Sequence, residues 1–124
     1  MYLGPRVLVD DSNLSRRILR RILEADGHVI LEATDGMAAL ERYAIDQPDL
    51  VLLDMTMSGM HGLDVLSQLR AIDLQARVIV ATADIQSSTR ILVQEGGGAG
   101  FISKPFVEEQ VRDAVNAVLA GGTR

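Results

Sequence analysis

The chain has 124 residues, 48% apolar and 23% charged, with a net charge of −5, the profile of one globular domain large enough for a core. Cysteine is absent, which excludes disulfides and thiol chemistry, and no apolar run approaches the roughly 20 residues of a bilayer span. The negative balance argues against direct nucleic-acid binding, and the N-terminal MYLGPR lacks a signal-peptide core, so a cytoplasmic protein without membrane contact is expected.

RVLVDD (6–11) is a strand-like run. SNLSRRILRRILEADG (12–27) has helical spacing at Leu14, Ile18, Leu19, Ile22 and Leu23, with Ser12 as N-cap and Gly27 as stop. Arg16, Arg17, Arg20 and Arg21 fall away from Leu14, Ile18 and Ile22 and read as a solvated face. HVILEA (28–33) is a second strand, and DGMAALERYAIDQ (35–47) a helix that must stop before Pro48. DLVLLD (49–54) is the third strand. A methionine-rich loop then leads to a helix, GLDVLSQLRAI (62–72). ARVIVATA (76–83) is the fourth strand and IQSSTRILVQEG (85–96) the fourth helix. EGGGAG (95–100) follows a helix and precedes a strand, so it is a helix stop and turn, not a phosphate cradle; its third glycine suggests looseness. GFIS (100–103) is a short fifth strand. VEEQVRDAVNAVLA (107–120) closes the chain as a helix with Val111, Val115, Val118 and Leu119 inward.

Five strand–helix pairs result. Strands 1, 3 and 4 are nearly continuous Val/Leu/Ile, as in a parallel sheet covered on both faces, so the expected fold is an open doubly wound α/β domain. Residues 1–124 form one domain, and 121–124 (GGTR) are a tail or the start of a linker.

Parallel strands end on one edge, which is where such sheets hold their ligands. Strand 1 ends on Asp10 and Asp11, strand 3 on Asp54 and strand 4 on Thr82, and strand 5 leads to Lys104. Eleven of the twelve basic residues are Arg; Lys104 is the only Lys, a compact ammonium where a planar fork would not fit. Strand 2, ending on Glu32 and Ala33, contributes less. Three converging carboxylates stay ionised only beside compensating cations, and a divalent ion plus the Lys104 ammonium balances them. All-oxygen ligands favour Mg²⁺. Such a site suits phosphoryl transfer.

These residues resemble the response-regulator receiver domain over essentially the whole chain. VLVDDS matches its acidic pair, LLDMTMSGMHG its phosphoacceptor loop, ATA its Thr/Ser-Ala, FISKPF its aromatic-x-x-Lys-Pro-Phe ending and EATDGMAAL its second strand and helix. The resemblance implies a flavodoxin-like five-stranded sheet of order 2-1-3-4-5. It implies that Asp54 takes a phosphoryl group from a phosphohistidine on a sensor histidine kinase or phosphotransfer protein. Asp10, Asp11, Asp54 and the Thr56 backbone carbonyl would hold Mg²⁺, Lys104 would pair with Asp54, and Thr82 would donate to the phosphoryl group. Phe101 stands at the switch aromatic, and the Lys104–Pro105 bond is expected to be cis. Thr56 and Asp84 flank the path of the attacking water and are candidates for tuning phosphoryl lifetime. The output face would be helix 4, strand 5 and helix 5, from about Ile85 to Leu119, in a monomer or weak homodimer. The implied protein is a switch and not a turnover enzyme, either stand-alone or part of a longer regulator.

The phosphoacceptor loop departs from the usual Met-Pro-x-Met-Asp-Gly at Ser58 and His61, which predicts a more mobile loop. Three alternatives stand beside the main reading. A haloacid-dehalogenase-like phosphatase would need a second Asp where Thr56 stands. A nucleotide-binding domain would need a ligand-cradling loop. A degenerate receiver serving for docking would have lost part of the acidic set, Thr82 or Lys104.

Overall fold

The protein is described here from a computed structural model that covers residues 6–10, 13–55, 62–83 and 87–121. Five strands, β1 (Arg6–Asp10), β2 (Val29–Ala33), β3 (Leu50–Asp54), β4 (Val78–Thr82) and β5 (Gly100–Ser103), alternate with five helices. These are α1 (Asn13–Ala25), α2 (Gly36–Asp46), α3 (Gly62–Ile72), α4 (Ser87–Glu95) and α5 (Glu108–Gly121). All strand pairs are parallel, in the order β2-β1-β3-β4-β5 expected of this fold. Every residue of β3 and β4 is buried, which explains why their sequences do not alternate.

The strand period of two sorts the core into two layers. Val51, Leu53, Val78 and Val80 face Leu40, Tyr43, Leu66 and Leu69 of α2 and α3. Leu50, Leu52 and Ile79 face Leu19, Leu23, Val111 and Val115 of α1 and α5. Each fully buried Leu or Val here contributes about 1.5–3 kcal/mol of apolar burial. The expected inward positions of α5 hold: Val111 and Val115 are buried, and Val118 and Leu119 pack against the same layer.

Helix ends follow local chemistry. After α1, Gly27 takes φ +89° and donates its N–H to Glu24 O, as a glycine stop should. Asp35 and Gln47, both placed inside the second helix by periodicity, flank it. The Asp35 side chain caps α2 by accepting from the Ala38 N–H at 2.8 Å, and Gln47 closes it at φ 45° before Pro48. At the end of α4, Gly97 has φ +93° and the Gly98 N–H reaches Val93 O at 2.9 Å. The third glycine is not a sign of looseness, because a Cβ on Gly98 would lie 2.5 Å from Val93 Cγ1. α5 runs through Gly121, the first residue of the expected tail.

The arginine face of α1 is only partly solvated. Arg16 Nε lies 2.7 Å from Glu32 Oε1, and Arg20 pairs with both Glu24 and Glu32. Glu32, which looked idle in the sequence, therefore ties α1 to the edge strand β2. Arg17 and Arg21 remain exposed.

Candidate functional site

The site is assembled by strand register. Asp10 at the end of β1 stands opposite Leu53 of β3; Asp54 stands opposite Ala81, and Thr82 opposite Ser103. Two backbone bonds carry the pairing past the strands: Met55 N–H donates to Ala81 O at 3.1 Å, and Lys104 N–H to Thr82 O at 2.9 Å. One sheet edge thus receives Asp54, Thr82 and Lys104 from three successive strands.

Asp54 and Thr82 are 2% and 1% exposed, almost fully buried polar groups at the ends of apolar strands. A buried carboxylate is costly unless a cation and hydrogen bonds compensate it. The Lys104 Nζ supplies that compensation, donating to Asp54 Oδ2 at 2.8 Å across 50 residues of sequence. The only Lys of the chain is therefore the counter-charge of the buried Asp, as its rarity had hinted. The Lys104–Pro105 bond is cis, as expected, and the ammonium lies 5.9 Å from the Phe106 ring centroid.

Phe101 stands opposite Val80 on β5, half-buried, with the Arg90 guanidinium 4.9 Å from its ring centroid. Asp11, Thr56 and Asp84, with Ser12, Ser58, His61 and Ile85, lie outside the described residues. Gly62 was missed by sequence reasoning. A Cβ there would sit 2.8 Å from Met55 Cα, so glycine lets the start of α3 close on the backbone that follows Asp54. The signal was present in its place at the first position of a helix, directly after the loop.

The donor fits a hard cation. Among the described residues no three acidic or His side chains come together, and the donor present at this edge is the buried Asp54 carboxylate, one oxygen of which is held by Lys104; a carboxylate oxygen of this kind is the ligand type that Mg²⁺ takes.

Comparison with known proteins agrees with this geometry. The sequence profile described as "Response regulator receiver domain" matches residues 7–116. The chain is 39% identical over 114 residues to "Chemotaxis protein CheY" of Bacillus subtilis (strain 168), covering 91% of this chain and 95% of that one. It is 34% identical over 113 residues to "Sporulation initiation phosphotransferase F" of the same organism, covering 91% of each. Among solved structures, a two-component response regulator of the LuxR family from Aurantimonas sp. SI85-9A1 superposes with a TM-score of 0.88 at 30% identity, covering 95% of this chain and 86% of that one. Vibrio cholerae chemotaxis protein CheY4, with a TM-score of 0.87 at 22% identity and covering 95% of this chain and 100% of that one, is a likeness of fold. None of these matches supports the phosphatase alternative. The chain belongs to the response regulator receiver domain family, the phosphoacceptor switches of two-component signalling.

Proposed function

We propose that Asp54 is the phosphoacceptor of this receiver and that its donor is a phosphohistidine on a sensor histidine kinase or phosphotransfer protein. The observation that carries the reading is the buried Asp54 carboxylate held by Lys104 Nζ at 2.8 Å, next to the buried Thr82. A carboxylate oxygen of Asp54 attacks phosphorus, the P–N bond to the donor imidazole breaks, and the imidazole leaves with the electron pair and takes up a proton. The product is an acyl phosphate on Asp54. Lys104 moves its donor from the carboxylate to the phosphoryl oxygens, and the Thr82 hydroxyl donates to the same group. Asp10, Asp11, Asp54 and the Thr56 carbonyl would hold Mg²⁺, which neutralises phosphoryl charge when bound. Thr56 and Asp84 tune the lifetime of the acyl phosphate.

The output is a population shift on the α4–β5–α5 surface, coupled to the site through Thr82, Phe101 and the Lys104–Pro105 turn. The domain catalyses only its own phosphorylation and dephosphorylation. Incubation with Mg²⁺ and acetyl phosphate should add one phosphoryl mass to the wild type and nothing to Asp54→Asn. A gain in both, or in neither, would sink the assignment of Asp54.

A further inference from the structure

Helix α3 meets bare backbone at both of its ends. At its start, glycine at position 62 lets the helix close on the residue after Asp54: a Cβ there would lie 2.8 Å from Met55 Cα and 2.9 Å from Met55 Sδ. Toward its far end, Leu66 and Arg70 stand four residues apart, on one face, and press on the turn between α4 and β5. A Cβ on Gly96 would lie 3.1 Å from Leu66 Cδ2, and one on Gly97 would lie 2.7 Å from Arg70 Nε. The Arg70 guanidinium is itself held, since its Nη1 donates to Ala76 O at 3.1 Å. Between these contacts α3 is 11 residues, about 16 Å of helix, with Val65, Leu66 and Leu69 buried in the core. A helix packed this closely shifts as a unit and does not bend to absorb a push.

We propose that α3 is a lever that links the backbone after Asp54 to the α4–β5 turn, with Arg70 as the positioning residue at its output end. A displacement at Met55 moves Gly62, α3 carries it, and Leu66 and Arg70 deliver it to Gly96 and Gly97. The turn hands it to two neighbours. Gly98 N–H donates to Val93 O of α4 at 2.9 Å, and Ala99 N–H donates to Val78 O of β4 at 2.7 Å, directly before β5 begins. Among the described side chains of α4 only Val93 is buried, so this helix is held chiefly at the end that the turn grips. The lever runs apart from the Thr82–Phe101 path, since neither residue takes part in its contacts. Its use in signalling rests on the reading of Asp54 as phosphoacceptor, whereas the mechanical link stands on the packing alone.

The test reads ¹H–¹⁵N spectra of the whole chain. Met55→Ala removes the side chain that lies against Gly62 and, with no phosphate present, should shift the amides of Gly96 to Ala99. In an Arg70→Ala background the same change should shift them by about half as much or less, and in Arg70→Lys, which keeps an aliphatic stem against Gly97, by an intermediate amount. Excess acetyl phosphate with Mg²⁺, with occupancy followed by intact mass, should move these amides in the wild type and in Phe101→Ala. At equal occupancy it should move them far less in Arg70→Ala. An Arg70 that only stabilises the turn would alter the resting spectrum and leave these differences at full size, which would overturn the proposal. So would turn amides that Met55→Ala leaves in place, or phosphorylation shifts that vanish in Phe101→Ala and so assign the whole effect to the aromatic. If acetyl phosphate adds no mass, the Asp54 reading fails, and the Met55→Ala comparison still decides the lever.

Discussion

Lys104 and Asp54 are bound to each other by energetics as well as by role. With the Asp54 side chain 3% exposed and the Lys104 side chain 18% exposed, removing the ammonium leaves a buried carboxylate without its counter-charge. Lys104→Met should therefore cost about 3 kcal/mol of unfolding free energy in metal-free buffer. Adding Asp54→Asn to that variant should recover most of the loss, because the uncompensated charge is gone. Urea unfolding of the two single variants and the double variant closes the cycle, and strictly additive losses would mean that the pair is not coupled. Both residues could be read in the sequence because each is conspicuous for its place or rarity: an acid straight after a buried apolar run, and a single Lys among twelve basic residues. Their contact could not be read, since it depends on parallel register that brings together residues 50 positions apart. Glu32 shows the opposite case. Its partners Arg16 and Arg20 lie on a neighbouring element at 16 and 12 residues' distance, and a helical-wheel reading of α1 alone leaves them facing water.

At the scale of elements, strand and helix types were legible because their periodicities are strong, while their ends were decided by side-chain and backbone contacts that periodicity does not contain. Asp35 fits the α2 pattern yet serves as its cap, and Gln47 fits it yet closes the helix at positive φ. The glycine turn after α4 is the clearest example. In sequence, three glycines suggest looseness; in the fold, Gly97 carries φ +93° and Gly98 lies against the stiff, buried Val93. Gly98→Ala should cost about 1–3 kcal/mol through overpacking. Val93→Ala in the same chain should remove part of that penalty, so the double variant would be more stable than the sum of the single losses predicts. Urea midpoints decide it, and a Gly98→Ala protein as stable as wild type would refute the packing role.

Across the whole molecule, the sheet separates a chemical edge from a structural one. Opposite the Asp54 edge, where β4 begins, the Tyr43 hydroxyl of α2 donates to Asp73 Oδ2 at 2.8 Å, and the Gln75 N–H donates to Asp73 Oδ1 at 2.9 Å. This ties α2 to the loop after α3. Burial, followed by the bond to Asp73, pushes the Tyr43 hydroxyl well above the ordinary tyrosine range. The Gln75 N–H, followed by the Tyr43 hydroxyl, holds the Asp73 carboxyl below the ordinary carboxylate range. The raised Tyr43 value gives stability that is fully present below the unfolded value of about 10 and is lost as pH rises above it. The depressed Asp73 value gives stability that is present above about 3.9 and is lost as pH falls through its folded value. Tyr43→Phe should therefore lower stability near neutrality by about 1–2 kcal/mol, the cost of a hydrogen bond to a charged acceptor. Its alkaline loss should flatten, since no hydroxyl remains to titrate, and its acid loss should set in closer to the ordinary carboxylate value. Unfolding free energies of both proteins from pH 3 to 10.5 test this, and identical profiles would remove Tyr43 and Asp73 from the account. Phosphorylation of Asp54 by acetyl phosphate at pH 7 should proceed equally in both, because the tie lies at the other end of the strands from the site.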